Sequence, residues 1–419
     1  MRPLGKTERF DVEHVVRNFS MFRSPVETAP FYYLDNAAMT QTPDCVIEAM
    51  YKHERGWRAN IKRGLYGPAE EATQAYEDAR QTVARFLGTS DPHEVVFTSG
   101  ATSSINMLAL ILGYGMRPGD EVLLSLLEHH SNIVPWQLLS DRTGVILKFL
   151  PVKEDGCLDL ARLGAFINER TKLVALTHGS NVSAAITEVA AIVQCAHQHG
   201  AKVMLDGAQM APHGPIDLDA LDVDFYVFSS HKVYGPTGVG VLWGRRECLQ
   251  EMQPAFGGGE MIDAVTLQKS SYASVPHRFE AGTPPVTQVI GLGVALDWLM
   301  HQDISGMKKH LSGLAERIIA GLATIDKKSG LINIFGPALG KERLPLVSFS
   351  IDGAHPHDIC QMMSDRHGVA LRGGHHCAQP LHDHWGIQGS TRVSLAIYNR
   401  VNDVDAFLNG IEDCIGLFC

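Results

Sequence analysis

Between residues 202 and 232 the chain runs Lys202-Val203-Met204-Leu205-Asp206-Gly207-Ala208-Gln209 and later Phe225-Tyr226-Val227-Phe228-Ser229-Ser230-His231-Lys232. Each half opens on a short, almost wholly apolar run and closes on polar groups: an acid in the first, Ser-Ser-His-Lys in the second. Runs this short and this continuous predict strands buried on both faces rather than amphipathic helices. Working outward, the same signature recurs at Glu94–Phe97, Glu121–Leu124, Leu173–Leu176 and Gly238–Leu242, alternating with helical segments over roughly residues 70–250. That alternation predicts an α/β domain with a mostly parallel central sheet covered by helices.

The pattern changes near residue 290. A long helical stretch follows, then Leu346–Ile351, a helix, Val369–Leu371, Thr391–Ala396, and an amphipathic helix from Asn402. The expectation is a large domain over 31–290. A smaller α+β domain would combine 291–419 with 1–30, including an N-terminal helix near 11–21.

Composition limits the possible roles. With 419 residues, 45% hydrophobic and 20% charged, the chain is long and apolar enough for a large core, which excludes disordered and collagen-like proteins. The formal charge of -10 is spread without a basic tract, so no nucleic-acid partner is expected. No apolar stretch approaches the ~18 residues of a membrane span, and a cytoplasmic protein is expected. The eight cysteines include no Cys-x-x-Cys pair, which argues against a disulfide framework or zinc ribbon.

Polar groups cluster where the apolar runs end, the edge at which open α/β sheets bind ligands. Thr98-Ser99-Gly100-Ala101-Thr102-Ser103-Ser104 leads from a strand into a helix, and free N–H groups with hydroxyls there make an anion cradle. Glu128-His129-His130-Ser131-Asn132 and Thr177-His178-Gly179-Ser180-Asn181 follow two further runs. Asp206 ends a buried strand, where a carboxylate needs a cation facing it. Lys232 stands at another strand exit, where loss of water lowers an amine's pKa and favours imine formation. Taken singly, each feature has an ordinary reading: an N-cap, a hydrogen-bonded core histidine, a buried ion pair, a surface lysine. Together they match the needs of pyridoxal 5'-phosphate: a phosphate cradle, an imine-forming Lys232, Asp206 against the ring nitrogen, and His129 on the ring face.

With these residues in place, the chain resembles the class V aminotransferase superfamily of fold-type I pyridoxal-phosphate enzymes. More narrowly it is similar to group II cysteine desulfurases, the branch that includes selenocysteine lyases. The likeness runs from Tyr33-Leu34-Asp35-Asn36-Ala37-Ala38 to Tyr398-Asn399, and is most specific at Glu128–Trp136, Asp224–Gly238, Arg278–Pro284 and Arg372–Ala378.

The resemblance implies that Thr102, Ser229 and His231 hold the phosphate with the backbone at Ala101. Asn181 and Gln209 would contact the ring hydroxyl or substrate. Thr283 would reach the phosphate of a neighbouring subunit, making the enzyme a homodimer. Arg372-Gly373-Gly374-His375-His376-Cys377-Ala378 matches the sulfur-handling loop, with Cys377 as nucleophile, Arg372 beside the substrate, and Arg392 as its carboxylate partner. The implied reaction converts L-cysteine to L-alanine and leaves a persulfide on Cys377 for a small sulfur-acceptor protein, as in iron–sulfur cluster assembly. L-selenocysteine is the competing substrate. The alternative is another class V enzyme, an aminotransferase, epimerase or kynureninase-like lyase, with Cys377 incidental.

Three positions depart from the group II pattern: Ala101 for threonine, Tyr66 for histidine, and Val182-Ser183-Ala184-Ala185 without the usual glycine and threonine. They bear on substrate or acceptor preference rather than cofactor binding. His375, His376, Cys377, His382 and His384 crowd together, but their spacing fits no zinc module, so no metal is expected. His382 and His384 are expected to face solvent.

Overall fold

The apolar runs pair into one sheet of seven strands. A computed structural model describes residues 10–23 and 30–418, and within them these strands are β1 (Val95–Thr98), β2 (Glu121–Ser125), β3 (Ile146–Leu150), β4 (Thr171–Thr177), β5 (Lys202–Asp206), β6 (Phe225–Ser229) and β7 (Gly240–Gly244). Their order across the sheet is β1-β7-β6-β5-β4-β2-β3. β2 to β6 are mutually parallel, whereas β7 runs antiparallel between β6 and β1. Every residue of β1, β2, β6 and β7 is buried, as strands covered on both faces require. β3, which is not among the apolar runs read from the sequence, is one of the two edge strands and only its last residue is buried. Its Lys148 turns back to pair with Glu121 of β2 at 2.7 Å.

Parallel strands end on one edge of a sheet, so Ser125, Thr177, Asp206 and Ser229 arrive together. Two close approaches tighten this edge. A Cβ at Gly240 would lie 2.3 Å from the Gly100 Cα, and one at Gly207 would lie 2.1 Å from the Tyr226 hydroxyl oxygen. Only glycine lets the Gly100 backbone and the Tyr226 ring approach at these distances.

Helix Val286–Met300 packs on helices Asp44–Gly56 and Gly67–Phe86, and helix Ile304–Ser329 leads away to a second sheet. The expected boundary at residue 290 falls inside the first of these helices. The second sheet comprises β8 (Ile332–Phe335), β9 (Leu346–Ile351), β10 (Arg372–Gly374) and β11 (Ser390–Ser394), in the order β8-β9-β11-β10, all antiparallel. Helices Pro356–His367 and Val401–Phe418 pack with it.

The expected N-terminal helix is shorter than 11–21: it covers Val12–Val16, followed by a separate 3-10 turn at Ser20–Phe22. Residues 1–9 and 24–29 of the expected 1–30 segment lie outside the described residues. Segment Tyr32–Tyr33 pairs in parallel with Val369–Ala370, and Asp35 bridges to Ser394. This pairing carries Ala37 and Ala38 from the second sheet to the strand ends of the first.

Candidate active site

The strand ends of the first sheet and β10–β11 of the second enclose a cavity of about 220 Å³. From the first sheet and its loops come Ala101, Thr102, His129, Ser131, Asn181, Asp206, Gln209, Ser229, His231 and Lys232. Arg372, His376, Cys377 and Arg392 come from the second. Of the site residues expected from sequence, only Thr283 is absent from this lining, and it is exposed.

One end of the cavity is built for an anion. Gly100 supplies no side-chain cap to helix Ala101–Gly113, so the N–H groups that follow Ala101 are open to a ligand. The Ala101 N–H donates to the Ser229 Oγ at 2.9 Å, tying β6 to the start of this helix. The hydroxyls of Thr102 and Ser131 share a hydrogen bond of 2.7 Å. Ser131 belongs to the quoted 128–136 segment, but its link to Thr102 appears only when the two turns meet.

Asp206 and Lys232 lie deeper. Burial raises the Asp206 pKa, while the Ala208 N–H, donating at 3.0 Å, and the Lys232 charge oppose that rise. Burial lowers the Lys232 pKa, with Asp206 pulling the other way, so this amine releases a proton more readily than a surface lysine. His129 is pushed down to about 3, first by burial and then by Lys232. Its Nδ1 accepts the Ser131 N–H at 3.0 Å, so the neutral ring carries its proton on Nε2.

Arg392 is held at one edge. It donates to the Asn181 carbonyl at 2.9 Å and to Asp35 Oδ1 at 3.2 Å, while its buried Nε has no partner. A buried N–H without an acceptor is costly, and a ligand carboxylate would satisfy it. Asp35 lies in the quoted 33–38 segment, but its contact with Arg392 depends on a fold that joins residues far apart in sequence. The Asn181 side chain donates to the His376 carbonyl at 2.8 Å, and the Gln209 side chain to the Ala37 carbonyl at 2.8 Å.

Cys377 is exposed and stands on a turn in which His376 and Cys377 both have positive φ, 50° and 56°. The His376 Nε2 meets the Ser390 carbonyl at 2.9 Å, and burial drives its pKa down to about 2.

His382 corrects an expectation. It is fully buried, with Nδ1 on the Ala378 carbonyl at 2.9 Å and Nε2 on the Ser390 Oγ at 3.0 Å. Its position in the first turns of helix Gln379–Trp385 faces it inward, whereas His384, two residues on, is exposed. His178 is a core histidine, accepting or donating at the Tyr226 hydroxyl at 3.0 Å. Among the departures, Tyr66 is exposed and does not line the cavity, while Ala184 is buried at φ +66°, a conformation glycine adopts more easily. Among the described residues, no group of three or more His, Cys, Asp or Glu side chains is arranged to hold a metal ion.

The donor set fits pyridoxal phosphate: open N–H groups and hydroxyls at one end, a buried carboxylate and amine, a neutral imidazole, and an unsatisfied guanidinium.

Comparison with known proteins agrees. A model of the aminotransferase class-V family matches residues 32–407. A probable cysteine desulfurase of Streptomyces coelicolor is 41% identical over 414 residues, covering 97% of this chain and 98% of the relative. A cysteine desulfurase of Haloferax volcanii is 40% identical over 394 residues, covering 94% and 91%. Among solved structures, the cysteine desulfurase CsdA of Escherichia coli superposes with a TM-score of 0.89 at 37% identity, covering 98% of this chain and 100% of that one. The apo cysteine desulfurase of Thermococcus onnurineus gives 0.91 at 34%, with the same coverage.

Proposed function

The chain belongs to the class-V aminotransferase family, and from that premise we propose that it is a pyridoxal-phosphate-dependent cysteine desulfurase that converts L-cysteine to L-alanine and collects the sulfur on Cys377. The observation that carries this reading is that Lys232, Arg392 and an exposed Cys377 line one cavity.

When bound, the cofactor supplies an electron sink for the bonds at the substrate α-carbon. Its phosphate would be held by the backbone at the start of helix Ala101–Gly113 together with Thr102, Ser229 and His231, and its ring nitrogen by Asp206. Burial raises the pKa of that carboxylate, and a cationic ring nitrogen placed against it would favour its ionised form. The neutral His129 presents a flat imidazole to the ring without adding a charge. Asn181 and Gln209 border the ring hydroxyl or the substrate.

Arg392 takes the substrate carboxylate through its fork, with Arg372 beside it. Lys232 removes the α-proton and holds it on Nζ, a task suited to an amine whose pKa burial has lowered. The Cys377 thiolate attacks the substrate sulfur. A new S–S bond forms as the substrate Cβ–S bond breaks, and the bonding pair stays with the three-carbon fragment. That fragment takes up a proton at Cβ, recovers the α-proton from Lys232 and leaves as alanine, while Cys377 keeps the second sulfur as a persulfide. L-selenocysteine presents the same carboxylate and amine and is the competing substrate.

The exposed loop suits transfer of the persulfide to a small acceptor protein. We also read the active form as a homodimer. Thr283 does not line its own cavity, and Leu65 and Leu267 are 95% and 99% exposed, a burden that a second copy would relieve. We divide the chain after helix Val286–Met300, and place the protein in the cytoplasm, where its free thiols stay reduced. No helix of the described residues is long and apolar enough to cross a membrane.

Incubation with L-cysteine tests the reading. Alanine should accumulate, and the peptide containing Cys377 should gain the mass of one sulfur atom. Alanine without that gain would remove Cys377 from the reaction.

A further inference from the structure

The thiol sits on a turn that other residues must hold in place. His376 and Cys377 both occupy the left-handed region, which side chains disfavour, and they persist there only under restraint. Four contacts from outside supply it. The Asn181 side chain donates to the His376 carbonyl at 2.8 Å, and the His376 ring reaches the Ser390 carbonyl at 2.9 Å. The other two come from His130. Its backbone N–H donates to the Cys377 carbonyl at 2.7 Å, and its Nε2 accepts the Gln379 N–H at 3.0 Å.

His130 thus grips the chain at Cys377 and again two residues later. A backbone N–H can only donate, so Nε2 must be unprotonated and the ring neutral. Burial and His375 lower the His130 pKa, which favours that state. The charged or titratable neighbours facing the ring are His375 on the loop and His129 on its own turn, the latter with ring centroids 6.3 Å apart.

The turn that carries His130 is itself anchored in the core. Buried Glu128 bonds to the Ser125 hydroxyl and accepts from Asn132 Nδ2 at 2.7 Å. Asn132 also donates to the Ala175 carbonyl at 3.2 Å and accepts from Trp136 Nε1 at 2.9 Å. Adjacent residues of one rigid turn therefore face different parts of the site: His129 lines the cofactor cavity, and His130 holds the nucleophile's loop.

We propose that His130 is a positioning residue for the sulfur nucleophile, fixing the Cys377 turn through its backbone N–H and its neutral ring. The His129-His130 pair then sets the spacing between cofactor and thiol. Protonation of the ring removes the acceptor and releases the Gln379 end of the loop.

The test compares the wild-type holoenzyme with His130→Ala and His130→Gln, whose side-chain carbonyl can still accept the Gln379 N–H. Cofactor absorbance should be retained in both. In His130→Ala, kcat for alanine formation should fall about 100-fold, the scale of a nucleophile displaced by an ångström, with KM for cysteine little changed. Deuterium uptake by the peptide spanning 375–385 should rise. His130→Gln should restore most of both readouts. Wild-type kcat in His130→Ala, or no recovery in His130→Gln, would overturn the proposal.

Should a variant fail to fold, the wild-type holoenzyme still decides. Uptake by 375–385, corrected for intrinsic exchange, should stay low from about pH 8 to about pH 6.5 and rise only as pH falls below that ordinary histidine value, because burial and His375 hold the ring neutral above it. A profile flat down to the acid limit of the fold would overturn the clamp. The inference rests on Cys377 as nucleophile, but deuterium uptake needs no turnover. A Cys377→Ala enzyme making alanine at the wild-type rate would sink that reading and leave the loop measurement standing.

Discussion

Lys232 and Cys377 share a cavity but answer to different surroundings, and substitution should separate them. Lys232→Ala should lose the absorbance of the lysine-linked cofactor together with all turnover. Cys377→Ala should keep that absorbance, because no cofactor-facing group is removed, while alanine formation from cysteine falls by about 100-fold or more. Both effects are read from a spectrum and an alanine assay. Arg392 is buried and already donates to Asn181 and Asp35, while its Nε has no partner, which leaves a donor for the carboxylate proposed to bind there. Arg392→Lys replaces a fork with a point charge and should raise KM for cysteine by about 10- to 100-fold, the worth of a bidentate charged contact. Lys232, Asp206 and His129 were legible in the sequence because each is a polar group ending an apolar run. Asp35 and His130 were not, since their partners lie more than 200 residues away and only the folded chain brings them together.

Elements, in turn, are held by contacts that no single run of sequence records. Gly240→Ala would drive a methyl into the Gly100 backbone, which cannot move aside as a side chain can. The variant should fold less stably and bind cofactor more weakly, as seen in thermal melts with and without pyridoxal phosphate. Glu280 joins three elements: it pairs with Arg80 of helix Gly67–Phe86 at 2.6 Å, accepts the Phe97 N–H of β1 at 2.9 Å, and belongs to the segment leading to Thr283. Arg80 outweighs the burial of Glu280 and holds its pKa well below the usual carboxylate range. The unfolded chain therefore binds a proton that the folded chain refuses. This contribution is complete above the unfolded pKa of about 4.3 and is lost as pH falls toward the folded value. Glu280→Gln should cost about 2 kcal/mol at pH 7 by leaving buried Arg80 with Glu77 as its remaining carboxylate partner, and its gap from wild type in denaturant melts should narrow below about pH 4. The doubly buried strands of the first sheet were readable from composition. The edge strand β3 was hidden by Lys148, which interrupts its otherwise apolar run, and β10 by two glycines that carry no strand signal.

Across the whole molecule, the two sheets contribute opposite walls of one cavity, and a second copy is expected to complete its surroundings. Sedimentation should give twice the chain mass of 45.8 kDa. Thr283→Ala should weaken cofactor retention, measured by dialysis, although Thr283 does not line its own cavity. Full retention in a dimer would remove Thr283 from the phosphate site. The bond from Ala101 to Ser229 spans 128 positions of the chain, with β7 seated between the strands that carry its two ends. A ribosome must therefore release residues 240–244 before the phosphate seat can close. In timed cell-free translation, vitamin B6 capture should begin only after that strand emerges, making the coenzyme a clock for the closing of the first sheet.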